Sequence, residues 1–374
     1  MTEGRGKGKR VVVAMSGGVD SSVALARLVG EGYECVGVAM QLWDYSRSAD
    51  DTGATAGSCC SLDDIGDARR VADSLGAPFY VVNVEEAFGR EVVDYFVRGY
   101  LAGETPNPCV KCNDVLKFEV LLRKALALEA DFLATGHYAR VVRDGEAVRL
   151  LKGVDPAKDQ SYFLFTMTSA QLGRTLFPVG GMTKGEVRDF ARRLGLVNSE
   201  KEESQEICFV EGPGYAEFLT SRGAAAPASG EITDPAGRVL GTHAGTFNYT
   251  IGQRRGLGLS GGPFYVVDID PAQNRVVVGA EDDLFSAGLV AREVNWIDPR
   301  AREAAAGGGL TGVTVKIRYR HAGADAVITP VPADGGRFEV RFSEPEKAVA
   351  PGQAVVFYCG DEVLGGGWIE RAVK

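Results

Sequence analysis

Short apolar runs alternate with amphipathic stretches through the first half of the chain. VVVAM (Val11 to Met15), CVGVAM (Cys35 to Met40), FYVVNV (Phe79 to Val84) and DFLAT (Asp131 to Thr135) are brief, β-branched and apolar, as strands buried on both faces are. Between them Ile65, Ala68, Val71, Ala72 and Leu75 recur at helical spacing with charged residues opposite, which predicts a crossover helix. VALARLV (Val23 to Val29) reads as a second helix, and VLKFEVLLRKALAL as a third, with Asn113 and Asp114 as its cap. From Arg10 to about Val210 the alternation predicts an α/β domain built on an open parallel sheet covered on both faces.

The texture changes after Phe209. EGPGY and GAAAPASGEITDPAGRVLG are turn-rich, and a smaller second domain is expected to begin near residue 211. From about Ala287, VTVKIRYR, FEVRF and QAVVFY alternate at strand period between turn signals and predict a small antiparallel barrel or sandwich, with 299–310 as a flexible loop. The expected division is 1–210, 211–284 and 285–374.

With 374 residues and 45% hydrophobic composition, the chain can bury more than one core. The basic start MTEGRGKGKR is followed by no apolar leader, and no apolar stretch has bilayer length, so a cytoplasmic protein with no membrane partner is expected. Seven cysteines without regular pairing suit reduced thiols rather than a disulfide framework. A net charge of -9 confines any nucleic-acid contact to local basic patches.

The sharpest local signal is Ser16-Gly17-Gly18-Val19-Asp20-Ser21-Ser22, between the first strand and the first helix, where α/β sheets bind ligands. Two glycines permit close backbone approach, the serines add hydroxyl donors, and the helix start offers free N–H groups, so a pyrophosphate fits. Asp20 could help hold Mg²⁺ beside those phosphates. No lysine follows the glycines, so this is not a Walker A loop and γ-phosphoryl transfer is disfavoured. An isolated Gly-Gly would more often be an ordinary helix-capping turn; the full string in this context outweighs that reading.

SGGVDSS resembles the pyrophosphatase loop of the N-type ATPases, which adenylate a carbonyl or carboxylate oxygen and release pyrophosphate. The resemblance implies an ATP-phosphate site on Ala14, Met15, Ser16, Gly17, Gly18, Val19, Asp20 and Ser21, with Met40 and Gly136 on the adenine or ribose side. Further motifs narrow it: TPNPCVKCN (Thr105 to Asn113), ATGHYAR (Ala134 to Arg140), KDQSYFL (Lys158 to Leu164), SQEICF (Ser204 to Phe209), YTIGQRRGLG (Tyr249 to Gly258), RYR (Arg318 to Arg320) and PGQAVVFY (Pro351 to Tyr358). In this order they closely resemble the bacterial tRNA-specific 2-thiouridylases along nearly the whole chain.

That resemblance implies an N-type ATP pyrophosphatase domain, a central tRNA-binding linker domain and a C-terminal antiparallel β-barrel. It implies that Cys208 carries a persulfide, that Cys112 is its catalytic partner, and that sulfur replaces the C2 oxygen of the wobble uridine after adenylation by ATP. Asn107, Pro108 and Cys109 would lie beside the target base with His137 flanking the opening. Lys158, Asp159, Gln160, Arg318, Tyr319 and Gln353 would touch tRNA, Arg254 and Arg255 adding a basic point in the middle domain, although each charge alone would be an ordinary solvated residue. An anticodon loop already presents splayed bases, which lowers the cost of capture. The implied sulfur source is a cysteine desulfurase or a persulfide relay protein.

The thiols divide by surroundings. Cys112 follows Lys111, whose positive potential favours a thiolate, whereas Cys208 lies near Glu203 and Glu206, which would raise a plain thiol's pKa if they are also neighbours in space. Many family members have aspartate where this chain has Cys109, so the expected acid-base helper is missing and a CxxC stands in its place. Cys109, Cys112 and Cys208 could hold an iron–sulfur cluster with one iron left open, or remain unligated thiols; a structural zinc lacks an evident fourth ligand. Cys59 and Cys60 read as exposed thiols or a sulfur relay, and Cys35 and Cys359 as small core residues. Two rivals stay open: another adenylating enzyme of the same superfamily, which would need no paired cysteines, and a noncatalytic RNA-binding sulfur carrier.

Overall fold

The computed structural model describes residues 6–43, 61–145, 147–202, 207–210, 215–222, 229–332 and 336–374. Two units divide the chain: Met1–Val92 with Cys109–Glu211 and Asp361–Val363, and Val93–Pro108 with Gly212–Gly360 and Leu364–Lys374.

In the first unit the strands are β1 (Arg10–Ala14), β2 (Glu34–Gln41), β3 (Phe79–Asn83), β4 (Phe132–Thr135), β5 (Ala139–Asp144), β6 (Ala147–Lys152) and β7 (Thr175–Leu176). Five form a parallel sheet in the order β3-β2-β1-β4-β7. The chain winds outward from β1 through β2 to β3 and then returns to β1's other side as β4, which makes the carboxyl edge of β1 and β4 a topological switch point. Val11, Val12 and Val13 are all buried, because helices cover both faces; Val23, Leu25 and Leu28 of the helix Val19–Gly30 and Ala68, Val71 and Ala72 of Leu62–Ser74 pack into that core. Ser61 caps the second of these helices, its hydroxyl accepting the Asp64 N–H. The β5–β6 hairpin is antiparallel and pairs onward with Glu362 and Val363.

The third predicted helix starts earlier than its pattern suggested. Residues 108–127 are helical throughout: α over Pro108–Cys112, π over Asn113–Leu121 and α again over Leu122–Ala127. Asn113 and Asp114 therefore lie inside it rather than capping it. Proline lacks the N–H that a first turn leaves unused, so Pro108 opens a helix that reads in sequence as loop punctuation.

In the second unit β8 (Gly230–Thr233), β9 (Val239–His243), β10 (Tyr265–Asp270) and β11 (Arg275–Gly279) form a sheet in the order β10-β11-β8-β9 over a core of Ile232, Val266, Val276 and Val278. After it come β12 (Phe285–Trp296), β13 (Leu310–Lys316), β14 (Ala324–Pro330), β15 (Phe338–Lys347), β16 (Ala354–Cys359) and β17 (Glu362–Val373). Their order β12-β15-β14-β13-β16-β17 closes on itself through antiparallel β12–β17 pairing, so the barrel expectation holds and the sandwich does not. Leu289, Val315, Ile328, Val340, Val355, Phe357 and Ile369 fill its interior.

The loop expected over 299–310 is instead a helix, Pro299–Gly307. Asp298 accepts the Arg300 N–H, Pro299 takes the first turn, and alanines, the strongest helix formers, continue until Gly308 ends it. Cys359 is likewise exposed at the end of β16 rather than in the core. Cys35 is buried as expected, and burial pushes its thiol up to about 12, so it is chemically inert at neutral pH.

Candidate active site

β1 leads directly into the glycine-serine loop. Met15 N–H still pairs with Val38 O at 2.8 Å, and the chain then turns at Gly17, whose φ is +75°. A β-carbon on Gly17 would stand 2.3 Å from the Asp64 carbonyl oxygen, so only glycine fits there. The Ser21 hydroxyl accepts the Ser16 N–H at 3.2 Å and donates to Gly18 O at 3.0 Å; the Ser22 hydroxyl donates to the same oxygen at 3.1 Å. Gly18 has no side chain to cap the helix, which leaves its leading N–H groups for an anion. Gly136, just after β4, comes so close that a β-carbon would meet Ser21 N at 2.6 Å.

Three residues that sequence reasoning did not assign to the loop hold it. Buried Asn198 donates from Nδ2 to Gly17 O at 2.8 Å and to Ser22 Oγ at 2.9 Å. Lys184 Nζ reaches both oxygens of Asp20 at 2.8 and 2.9 Å, and the Tyr138 hydroxyl donates to one of them at 2.7 Å. Tyr138 stood inside a quoted motif; Lys184 and Asn198 arrive from distant segments and carry no local spacing signal. Asp20 is thereby already neutralised by an ammonium on both oxygens, so it is poorly arranged as a Mg²⁺ ligand.

The cysteine helix comes to the same edge of the sheet. Its Phe118 packs 6.0 Å from the His137 ring, two residues beyond the end of β4. Cys109 is exposed and Cys112 half-buried; their i, i+3 spacing puts them on one helix face. Lys111 pairs with Asp114 at 3.4 Å. Burial raises the Asp114 carboxyl above its usual range, and Lys111 opposes the shift.

Cys208 is half-buried on a turn closed by Val210 N–H to Ile207 O at 2.9 Å. Its neighbour Phe209 sits edge-on to Phe88 at 5.6 Å and 6.4 Å from Trp43, which follows the carboxyl end of β2. This aromatic cluster ties the Cys208 turn to the strand beside β1, and the buried Met40 lies on that same strand. None of Cys109, Cys112 and Cys208 is in a disulfide, and among the described residues no three His, Cys, Asp or Glu side chains gather to hold a metal ion. Cys59, Cys60, Glu203 and Glu206 lie outside the described residues.

Several expected RNA contacts have internal roles. The buried Asp159 carboxylate accepts from the Gly153 N–H at 3.0 Å, the Ser161 N–H at 3.1 Å and the Ser161 hydroxyl at 3.0 Å, so it shapes its own turn instead of facing a ligand. Gln160 Oε1 accepts the Tyr138 N–H at 3.0 Å. Lys158 is half-buried, Arg318 exposed and Tyr319 half-buried. Asn107 and Pro108 immediately precede Cys109 on the approach to the helix.

His137 lies between Phe118 and Phe177, with Nδ1 2.7 Å from Thr135 Oγ1. Burial, helped by Lys117, holds its pKa well below the usual histidine value, so the ring is neutral at pH 7. The unfolded chain therefore takes up this proton first. The stability the neutral ring contributes is complete above about pH 6.5 and is lost as pH falls below it. The melting temperature of His137→Gln should fall less steeply than that of the wild type between about pH 7 and pH 5; parallel slopes would refute this assignment.

A switch-point anion loop flanked by residues from three neighbouring strands defines a nucleotide-binding α/β domain of the HUP class. Residues 9–212 match the profile of the tRNA methyl transferase HUP domain, 216–280 the tRNA methyl transferase PRC-barrel domain, and 286–369 the aminomethyltransferase beta-barrel domain. The chain is 56% identical over 367 residues to the tRNA-specific 2-thiouridylase of Geobacter metallireducens, covering 98% of each. To the namesake from Geotalea uraniireducens it is 57% identical over 370 residues, covering 98% of this chain and 96% of that one. A 4-thiouridine synthetase solved with RNA and ATP aligns only at TM-score 0.33 and 16% identity, over 57% of this chain and 50% of that one, too loosely to carry an argument. The profile descriptions speak of methyl transfer, but the relatives match end to end, and the chain belongs to the tRNA-specific 2-thiouridylase family.

Proposed function

We propose that this protein is an ATP-dependent tRNA-uridine 2-sulfurtransferase acting on the wobble uridine of the anticodon loop in the cytoplasm. The observation that carries the reading is the gathering, at one edge of one parallel sheet, of the anion loop after β1, the turn bearing Cys208 beside β2 and the cysteine helix against His137 after β4. Among the described residues no helix is long and apolar enough to cross a membrane.

In this reading ATP lays its phosphates on 14–21 with Met40 and Gly136 on the nucleoside side. The uracil C2 oxygen attacks the α-phosphorus and pyrophosphate leaves, which turns a poor leaving oxygen into adenylate. A desulfurase or relay protein supplies a persulfide on Cys208. Its terminal sulfur attacks C2 and AMP departs, leaving uridine joined to Cys208 through a disulfide; the Cys112 thiolate then attacks Cys208 Sγ, releasing 2-thiouridine and forming a Cys112–Cys208 disulfide. Alternatively Cys112 attacks first and the hydrosulfide it frees attacks C2. Both routes end on the same disulfide, which an external dithiol must reduce. Asn107, Pro108, Cys109, His137, Lys158, Gln160, Arg318, Tyr319 and Gln353 remain the family-derived tRNA positions, and the sulfur transfer runs on the Cys112 and Cys208 thiols.

The test is anaerobic purification with iron and zinc analysis, beside ATP-dependent thiolation of tRNA from a persulfide donor. Thiolation without stoichiometric metal is expected. Activity that tracks iron content would move Cys109, Cys112 and Cys208 into a cluster site, and no thiolation under either condition would favour another adenylating enzyme.

A further inference from the structure

Within the second unit, β13 and β14 pair as far as Val315 and Ala324, and residues 317–323 connect the two strands. On this connection Arg318 and Arg320 are exposed and Tyr319 is half-buried, between buried Ile317 and His321. The His321 N–H donates to Arg318 O at 3.0 Å, closing a turn around Tyr319, and Arg318 Nη1 donates to Lys347 O at 3.2 Å, at the end of β15. Gly323 shapes the far side with φ +107°, where a β-carbon would come 2.5 Å from Thr314 Cγ2. The His321 side chain is only 7% exposed, and its Nε2 donates to Glu346 Oε2 at 3.1 Å. Its other ring nitrogen, Nδ1, is buried without a partner.

We propose that His321, held by Glu346, is a positioning residue for tRNA. The pair fixes the turn that presents Arg318 and Tyr319, and Arg320 beyond them, to the phosphates of the RNA backbone. The proposal rests on the reading of Arg318 and Tyr319 as tRNA positions.

Packing alone is a poor reason for a histidine at this place. A leucine would fill it with no orphaned nitrogen, whereas a buried imidazole with one nitrogen unpaired carries a desolvation cost that the bond to Glu346 must offset. What that bond secures is attachment. Glu346 pairs with Ser286 of β12, so its backbone belongs to the closed barrel, and the connection is tied to that frame at His321 as well as at Arg318. Cations on a connection already ordered by folding bind phosphate better than the same cations on a slack one, because binding no longer has to order them. The Glu346 carboxylate would by itself repel an approaching phosphate, and a positioning role explains an acid beside two exposed arginines.

The test measures the tRNA Kd of the full chain over a series of salt concentrations. Charge alone predicts that Glu346→Ala, which removes an acid from beside a basic turn, binds tRNA more tightly; the proposal predicts the opposite sign, a Kd raised about threefold or more. His321→Leu should raise Kd about fivefold or more and make the slope of log Kd against log salt shallower by about one. His321→Gln, whose amide can still donate to Glu346, should stay within about twofold of wild type, and Arg320→Ala should lose about one from the same slope. Tighter binding by Glu346→Ala, or a His321→Leu protein that melts lower yet keeps the wild-type Kd and slope, would overturn the proposal and leave His321 as barrel packing. If His321→Leu fails to fold, Glu346→Ala decides alone. Wild-type binding by both Arg318→Ala and Arg320→Ala would instead sink the reading of the turn as a tRNA position, and the proposal with it, whatever the tether does.

Discussion

Cys208→Ala is expected to lose 2-thiouridine formation by about a thousandfold or more while continuing to bind ATP and tRNA. In the proposed mechanism the sulfur travels on a thiol that reaches the activated base, and Cys208 rides on the turn that Phe209 anchors to Phe88 and Trp43. Neither described cysteine outside this edge can substitute: Cys35 is buried with its thiol pushed up to about 12, and Cys359 lies exposed at the end of β16 in the other unit. Cys112→Ala should lose thiolation as completely but for another reason, because a persulfide would still load onto Cys208 and then fail to be resolved. Mass spectrometry after incubation with a persulfide donor separates the two, with a 32-dalton increment (about one sulfur atom) retained on Cys208 only in Cys112→Ala. Full activity in either variant would contradict the sulfur assignment.

Gly17→Ala is expected to raise the KM for ATP in pyrophosphate release by about tenfold or more. A non-glycine residue at φ +75° costs about 1–3 kcal/mol, and the new β-carbon would press 2.3 Å from Asp64 O, which belongs to a capped helix and cannot yield easily. Any shift of Gly17 also pulls on Asn198, which holds its carbonyl together with the Ser22 hydroxyl. Gly18→Ala provides the contrast, since Gly18 is extended at φ -81° and its β-carbon would sit 3.5 Å from Ser16 Oγ. Its effect should be several times smaller. Equal losses at the two glycines would show that the loop's shape is not what binds ATP.

The inner strands of the parallel sheet were legible because they are buried on both faces and so carry uninterrupted apolar runs, as Val11 to Val13 show; β3 has the same apolar run but lies at the sheet's edge, half-exposed and with Tyr80 60% exposed, against the expectation that it is buried. The loop after β1 was legible for a related reason, since a backbone that must approach phosphates needs glycine and leaves that mark in the sequence. What stayed hidden was either long-range or conformationally ambiguous. Lys184 and Asn198 meet the loop from far along the chain, and an ordinary lysine and asparagine announce nothing. Pro108 looks like a breaker, yet opens a helix, which placed the cysteines inside a first turn rather than ahead of a cap. In 299–310 the terminal glycines drew attention from the alanines and from the Asp298 cap. Asp159 was assigned outward by resemblance, while the structure engages its buried carboxylate inside the protein.

The central claim is that ATP activates the uridine C2 oxygen before sulfur arrives, and its most direct test follows that oxygen. A tRNA carrying ¹⁸O at C2 of the wobble uridine would be thiolated with ATP and a persulfide donor, and the AMP analysed by mass spectrometry. The account predicts one ¹⁸O in the AMP for each 2-thiouridine formed. AMP that remains unlabelled while thiolation proceeds would contradict it.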